Sequence, residues 1–210
     1  GMMGTNPVDD WKKSLEDHLQ KEVSPQPKFK NPSNTNVYYW GGKLLACWES
    51  GLPYSLDPVT LETLGKDNLG GALDESNCLA AHFRLDGAKD LLVTFSLRLS
   101  LRGKTKLYIH EFDRQWKLVR QRIIKIDKYY YAHDFLLTDN YYIFHHTPFY
   151  NFTMDNLGKI ASMEAGPGET MHHYPEVPSG MIVIPRYPAE GSAEDFKFFE
   201  CEPFHIYHHI

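Results

Sequence analysis

Val37-Tyr38-Tyr39-Trp40-Gly41-Gly42-Lys43-Leu44-Leu45-Ala46-Cys47-Trp48 decides the fold class. Two short apolar runs flank a Gly-Gly pair, and glycine takes up the positive φ of a two-residue hairpin turn without a Cβ clash. The stretch therefore predicts two antiparallel strands. Outward from it the same grammar repeats. Runs at 52–56 and 60–64 flank Asp57-Pro58, and a run at 91–97 follows. Runs at 107–112 and 118–126 flank Asp113-Arg114-Gln115, and runs at 135–137 and 141–144 flank Thr138-Asp139-Asn140. Runs at 181–185 and 196–201 end the series. Short strands joined by Asp, Asn and Gly turns predict an all-β domain, either a sandwich or a propeller. The unit of strand, Asp turn and strand at Asp57 recurs at Asp113, 56 residues on, a blade-sized period that favours the propeller.

Before these strands, residues 9–23 read as one amphipathic helix. Trp11, Leu15 and Leu19 share a face, with Lys12, Lys13, Glu16 and Asp17 around the other side. Pro25, Pro27 and Pro32 make residues 24–33 an extended connector. The organisation expected is thus 1–33, helix and connector, then 34–210, the β domain. Docking of the helix on its own domain is its simplest use, and peripheral contact with a membrane is the alternative. Residues 147–178, with several Pro and Gly, read as a long insertion loop.

Composition narrows the function. The 210 residues carry 22 Lys and Arg against 27 Asp and Glu, a formal charge of −5, which disfavours a phosphate-binding surface and so a nucleic-acid partner. The basic residues Arg98, Arg102, Lys104 and Lys106 fit a solvated hairpin. No apolar run reaches the length of a membrane-spanning helix. Cys47, Cys78 and Cys201 form no Cys-x-x-Cys pair, which excludes a disulfide scaffold and a thiolate zinc site and suits a reducing compartment, cytoplasm or plastid. Aromatic residues make up 14% and histidines number 11, so any metal here is held by imidazole and carboxylate, a donor set that suits iron, zinc, copper or nickel.

Three histidines stand out by their setting. His82, in Ala81-His82-Phe83, and His133, in Ala132-His133-Asp134-Phe135, each lead into a strand, and His208 lies in Tyr207-His208-His209-Ile210. Separations of 51 and 75 residues, the second containing the insertion, place them at blade-like intervals, and equivalent positions of successive blades converge on a common axis. His110 fits an ordinary strand residue, His145-His146 a surface position at the end of a strand or a substrate entrance, and His172-His173 a solvated loop.

The ordered blocks Asn34-Thr35-Asn36-Val37, Gly41 to Ala46, Glu49-Ser50-Gly51-Leu52-Pro53-Tyr54, Leu56-Asp57-Pro58-Val59-Thr60-Leu61-Glu62-Thr63, Ala81-His82, His133-Asp134-Phe135 and Ile184-Pro185-Arg186 resemble the carotenoid cleavage oxygenase family. The resemblance implies part of a seven-bladed β-propeller with a non-haem Fe(II) on its axis, held by four histidines. It implies cleavage of a conjugated double bond of a carotenoid or apocarotenoid by O2. On this resemblance His82, His133 and His208 match the first three ligands, and Glu49 matches an acid that orients a ligand from behind. Tyr130, Tyr131, Phe135, Phe149 and Tyr150 are candidates to line an aromatic tunnel for the lipophilic polyene. The family commonly has proline after the first ligand, where this chain has Phe83. With two residues remaining after His208, the fourth histidine and later blades are expected to be missing. The isolated chain is then expected to self-associate and to lack cleavage activity. The alternative is a non-catalytic relative that binds a partner or an apolar ligand.

Overall fold

The structure, a computed structural model, describes residues 30–74, 78–99, 104–128, 130–147, 149–150, 154–166, 168–174, 176–190 and 196–209. The helix expected at 9–23 and most of its connector lie outside the described residues.

Three antiparallel sheets follow one another along the chain. The first is a meander of β1 (Asn36–Trp40), β2 (Lys43–Cys47), β3 (Tyr54–Leu56) and β4 (Thr63–Lys66). Its opening hairpin turns on Gly41 and Gly42, with φ of 52° and 75°, as the Gly-Gly pair predicts. At Gly41 a second constraint acts, because a Cβ there would collide with the Arg114 carbonyl oxygen.

In the second sheet β5 (Cys78–Leu79) and β6 (Arg84–Asp86) both pair with β7 (Leu91–Leu99), which is followed by β8 (Thr105–Phe112) and β9 (Leu118–Ile126). The third sheet begins with β10 (Leu136–Leu137) and β11 (Tyr141–His146). An excursion then carries β12 (Phe149–Tyr150), helix α1 (Met154–Ala161), a 3-10 turn at Gly168–Thr170 and β13 (His172–His173) before the sheet resumes with β14 (Ser179–Pro185) and β15 (Lys197–Cys201). Among the described residues the three sheets do not close into a ring, and no helix is long and apolar enough to cross a membrane.

The Asp repeat has a structural basis. Asp57 Oδ1 accepts the Val59 and Thr60 amides at 2.9 and 2.7 Å, and Asp113 Oδ1 accepts the Gln115 and Lys117 amides at 2.9 Å each. Each carboxylate closes the turn into the last strand of its sheet. The 147–178 segment departs from the expected loop, since α1 and the β12–β13 ribbon lie within it. An eight-residue helix shows too few turns for its period to be read. Its ends are instead held by an Asp155–Lys159 ion pair at 2.7 Å and by Asn156 Nδ2 donating to the Thr170 carbonyl at 3.2 Å.

Two cores separate the sheets. Trp40, Leu45, Leu52, Leu92, Phe112 and Trp116 fill the first, between sheets one and two. Val93, Phe95, Ile109, Phe135, Tyr142, Phe144 and Ile184 fill the second, between sheets two and three. Strand β7 is buried on both faces, so Val93, Phe95 and Leu97 serve one core while Leu92, Thr94 and Ser96 turn to the other side, which is the period-two geometry of a strand. A buried ion cluster also ties sheets two and three. Arg186 donates from Nε to Glu111 Oε1 and from Nη1 to Asp86 Oδ2, both at 2.6 Å, and Tyr142 donates to Glu111 Oε1 at 2.5 Å.

Candidate metal centre

His82 stands two residues before β6, His133 three before β10, and His208 in the irregular segment after β15. A strand start exposes the side chain of the preceding loop at the sheet edge, and sheets packed face to face bring such edges to one place. The structure brings all three rings together. The ring centroids of His82 and His133 are 4.6 Å apart, of His82 and His208 4.6 Å, and of His133 and His208 4.9 Å. One ligand-capable nitrogen from each lies within 4.8 Å of the others.

The closest pair is His82 Nε2 and His133 Nε2, at 3.1 Å. A metal about 2.1 Å from two nitrogens at a right angle separates them by about 3.0 Å. The donor set therefore fits a metal ion without rearrangement of this pair, and without metal one ring donates to the other. Burial, assisted by His133 and His208, pulls the His82 pKa below its ordinary value against the opposing Asp134 and Glu49 charges. A neutral imidazole is the form that binds metal.

Behind the rings lies a polar layer. Glu49 Oε1 contacts His133 Nδ1 on the side away from His82, and Glu49 Oε2 accepts the Tyr131 hydroxyl at 2.8 Å. Such a carboxylate fixes the tautomer and tilt of a ligating ring. Asn36 Nδ2 approaches His82 Nδ1 at 3.4 Å. Sequence reading passes over Asp134, which is buried and accepts Arg84 Nη2 at 2.6 Å and the Phe135 and His209 amides at 2.8 and 3.0 Å. Burial pushes its carboxyl up, yet those two amides and the guanidinium outweigh it and leave the pKa lowered. The signal for Asp134 was its place in His133-Asp134-Phe135; the partner 75 residues on has no sequence signature.

The tunnel candidates separate. Tyr130 and Phe135 belong to the second core, with 2% and 0% exposure. Tyr130 donates to the His145 carbonyl at 2.9 Å, and Phe135 stacks on Phe144 at 5.3 Å. Tyr131 is half exposed and tied to Glu49. Phe149 and Tyr150 pair with His173 and His172 in the ribbon of the excursion. His110 is a buried strand residue between Ser96 and Gln121, as expected. His145 and His146, expected at the surface, are instead buried at the end of β11, where Lys128 Nζ lies 3.1 Å from His146 Nε2 and His209 Nε2 3.3 Å from His145 Nδ1.

A family model described as "RPE65: Retinal pigment epithelial membrane protein" matches residues 6–210. The apocarotenoid-15,15'-oxygenase of Synechocystis sp. is 34% identical over 215 residues, covering 100% of this chain and 40% of the oxygenase. Resveratrol cleavage oxygenase 1 of Botryotinia fuckeliana is 31% identical over 181 residues, covering 82% of this chain and 31% of that protein. The crystal structure of cobalt-substituted Synechocystis ACO superposes with a TM-score of 0.76 at 34% identity, over 91% of this chain and 39% of that one. The chain thus spans less than half the length of these relatives. With the family match running through the Glu49, His82, His133 and His208 segments, the chain belongs to the carotenoid cleavage oxygenase family.

Proposed function

We propose that His82, His133 and His208 hold an iron(II) ion, and that these residues form part of a non-haem dioxygenase that cleaves a conjugated double bond of a carotenoid or apocarotenoid with O2. The observation that carries this reading is the convergence of three imidazoles from loops 51 and 75 residues apart, with ring nitrogens within 4.8 Å. The fold we infer is a sector of a seven-bladed propeller. Three successive antiparallel sheets, two of them closed by the same Asp turn, support it.

Bound iron(II) would supply the redox centre that lets ground-state O2 react with an alkene. The chain's own residues set the conditions. Three neutral imidazoles leave the ion its full charge, while Glu49 Oε1 lies against the remote Nδ1 of His133 without occupying a coordination position. No side chain is required as a general acid or base, because the double bond gains oxygen without a proton transfer. Burial of His82 and His133 at 9% and 6% exposure keeps bulk water from two of the three rings.

Anaerobic titration of the chain with Fe(II) tests the site. One equivalent is expected to bind, and His82→Ala, His133→Ala and His208→Ala are each expected to weaken it. Joined to the segments that its relatives carry beyond the matched part, the chain is expected to bleach an apocarotenoid in air with Fe(II). Unchanged metal binding in all three variants would overturn the metal assignment. Tight iron without bleaching in the extended protein would favour the binding-module alternative.

A further inference from the structure

His208 is the least supported of the three rings by regular structure. Residues 202–209 form neither strand nor helix, and the His208 side chain is 49% exposed. A loose segment holding a metal ligand loses affinity through the entropy of ordering it, so what fixes this segment matters to the site.

Most polar contacts of the segment gather on its neighbour, and the His208 ring adds one of its own, with Nδ1 3.6 Å from Asp134 Oδ2. His209 N donates to Asp134 Oδ2 at 3.0 Å, His209 O accepts Arg84 Nη2 at 3.3 Å, and His209 Nε2 lies 3.3 Å from His145 Nδ1. Upstream, Ser179 Oγ donates to the Phe204 carbonyl at 3.0 Å and accepts the Phe204 amide at 2.8 Å. Tyr207 stacks on the His133 ring at 4.2 Å and 22°. Two of the anchors flank the other rings in sequence, since Arg84 is two residues past His82 and Asp134 one past His133. The Arg84–Asp134 bond, 2.6 Å long with Asp134 side-chain exposure of 2%, links those two loops before the third segment arrives.

We propose that Asp134 is the positioning residue of the centre: with Arg84 and His145 it clamps His209 by backbone and ring, and so seats His208 against His82 and His133. His209, adjacent to the ring that faces the centre, is then an anchor and not a ligand. The inference rests on the metal reading for its consequence, but the clamp itself is a property of the metal-free chain. Its chemistry is a charge-assisted hydrogen bond from a main-chain amide to a buried carboxylate, a strong class of contact.

Two measurements separate the clamp from the metal reading. In the metal-free chain, amide hydrogen exchange at His209 is expected to be protected and to become at least tenfold faster in Asp134→Asn and Asp134→Ala. With Co(II) as the probe, absorption titration is expected to show affinity about 10- to 100-fold weaker in Asp134→Ala, the usual scale for loss of a partner behind a ligand. Asp134→Asn, which keeps one oxygen and the volume, is expected to recover part of that affinity. His209→Ala removes only the ring arm to His145 and is expected to weaken Co(II) binding less than Asp134→Ala. In each variant the visible cobalt bands are expected to shift toward those of His208→Ala, a change that a general loss of stability would not cause. Equal His209 exchange in wild type and Asp134→Ala would overturn the clamp whatever the metal does. Cobalt affinity unchanged in Asp134→Ala but lost in His208→Ala would overturn the positioning role alone. Cobalt binding indifferent to His82, His133 and His208 together would overturn the metal reading, leaving the exchange result to judge the clamp.

Discussion

Tyr38 and Phe83 stack face to face, with centroids 4.4 Å apart and planes inclined by 12°, while the Phe83 amide donates to the Tyr38 hydroxyl at 2.8 Å. Phe83 directly follows His82, where a proline would have no N–H to give. The departure from the family pattern noted in the sequence is thus met by a partner on β1. The same hydroxyl accepts Asn36 Nδ2 at 3.0 Å, the amide nitrogen that also approaches His82.

Phe83→Pro is therefore expected to destabilise the fold by about 3–5 kcal/mol, the range for emptying a buried aromatic site. Tyr38→Phe, which keeps the stack and loses one hydrogen bond, should cost about 1 kcal/mol. Urea unfolding followed by fluorescence measures both. Equal effects would show that the stack contributes nothing beyond the hydrogen bond.

Arg186 is fully buried between Asp86 and Glu111, and its removal leaves two carboxylates in the interior. Arg186→Met is expected to cost about 3–5 kcal/mol, and Tyr142→Phe about 1.5–3 kcal/mol because its partner Glu111 is charged. Arg186→Lys should recover little, since one ammonium cannot reproduce the fork between two acids. A unfolding midpoint for Arg186→Lys equal to wild type would refute the bidentate account.

How much of this was legible depended on where the information lies along the chain. The β1–β2 hairpin and the β8–β9 pair were readable because their turns are written in adjacent residues, Gly41-Gly42 and Asp113. The strand expected at 60–64 starts instead at Thr63, because Leu61 sits at a φ of 62° within the turn that Asp57 closes. Strands β5, β12 and β13 are two residues long and have no period to detect. His82, His133 and His208 were legible from their settings and spacing, and the resemblance added their ligand roles and Glu49. The Tyr38–Phe83 stack and the Asp134–His209 bond were not, since each joins loops far apart in sequence and the second uses a backbone amide.

Acid should weaken the fold through buried histidines. Burial holds the His110 pKa down to about 4, against 6.5 for the free side chain. Between those values the unfolded chain binds the proton and the folded chain does not, so stability is complete above the unfolded pKa and falls as pH drops through the window. At about 1.36 kcal/mol per pH unit, His110 alone should remove about 2 kcal/mol by pH 5. His145 and His146, also lowered to about 4 mainly by burial, act in the same direction. His110→Gln can still bond Ser96 and Gln121 and is expected to flatten the pH slope of stability by about one proton. An unaltered slope between pH 6.5 and 4 would show that His110 is protonated in the fold.

The metal reading yields the sharpest expectation at Glu49. Its carboxylate bridges Tyr131 and His133, two residues of the loop that enters β10, from a position after β2 in the first sheet. It is therefore the group through which the first sheet supports a ring on the third. Glu49→Ala removes both contacts and is expected to weaken metal affinity about 10- to 100-fold. Tyr131→Phe leaves the carboxylate on His133 and should have a far smaller effect. The selectivity among metals should move in neither variant, because it belongs to the imidazoles. Nickel and copper stand above iron in the general affinity order, so both are expected to displace Fe(II) from wild type and from Glu49→Ala alike. Competition titrations with Fe(II), Ni(II) and Cu(II) check this. A Glu49→Ala chain that binds iron as tightly as wild type would reduce Glu49 to a tether for Tyr131. A chain that holds iron against an equal concentration of copper would show that more than these three rings coordinate the ion.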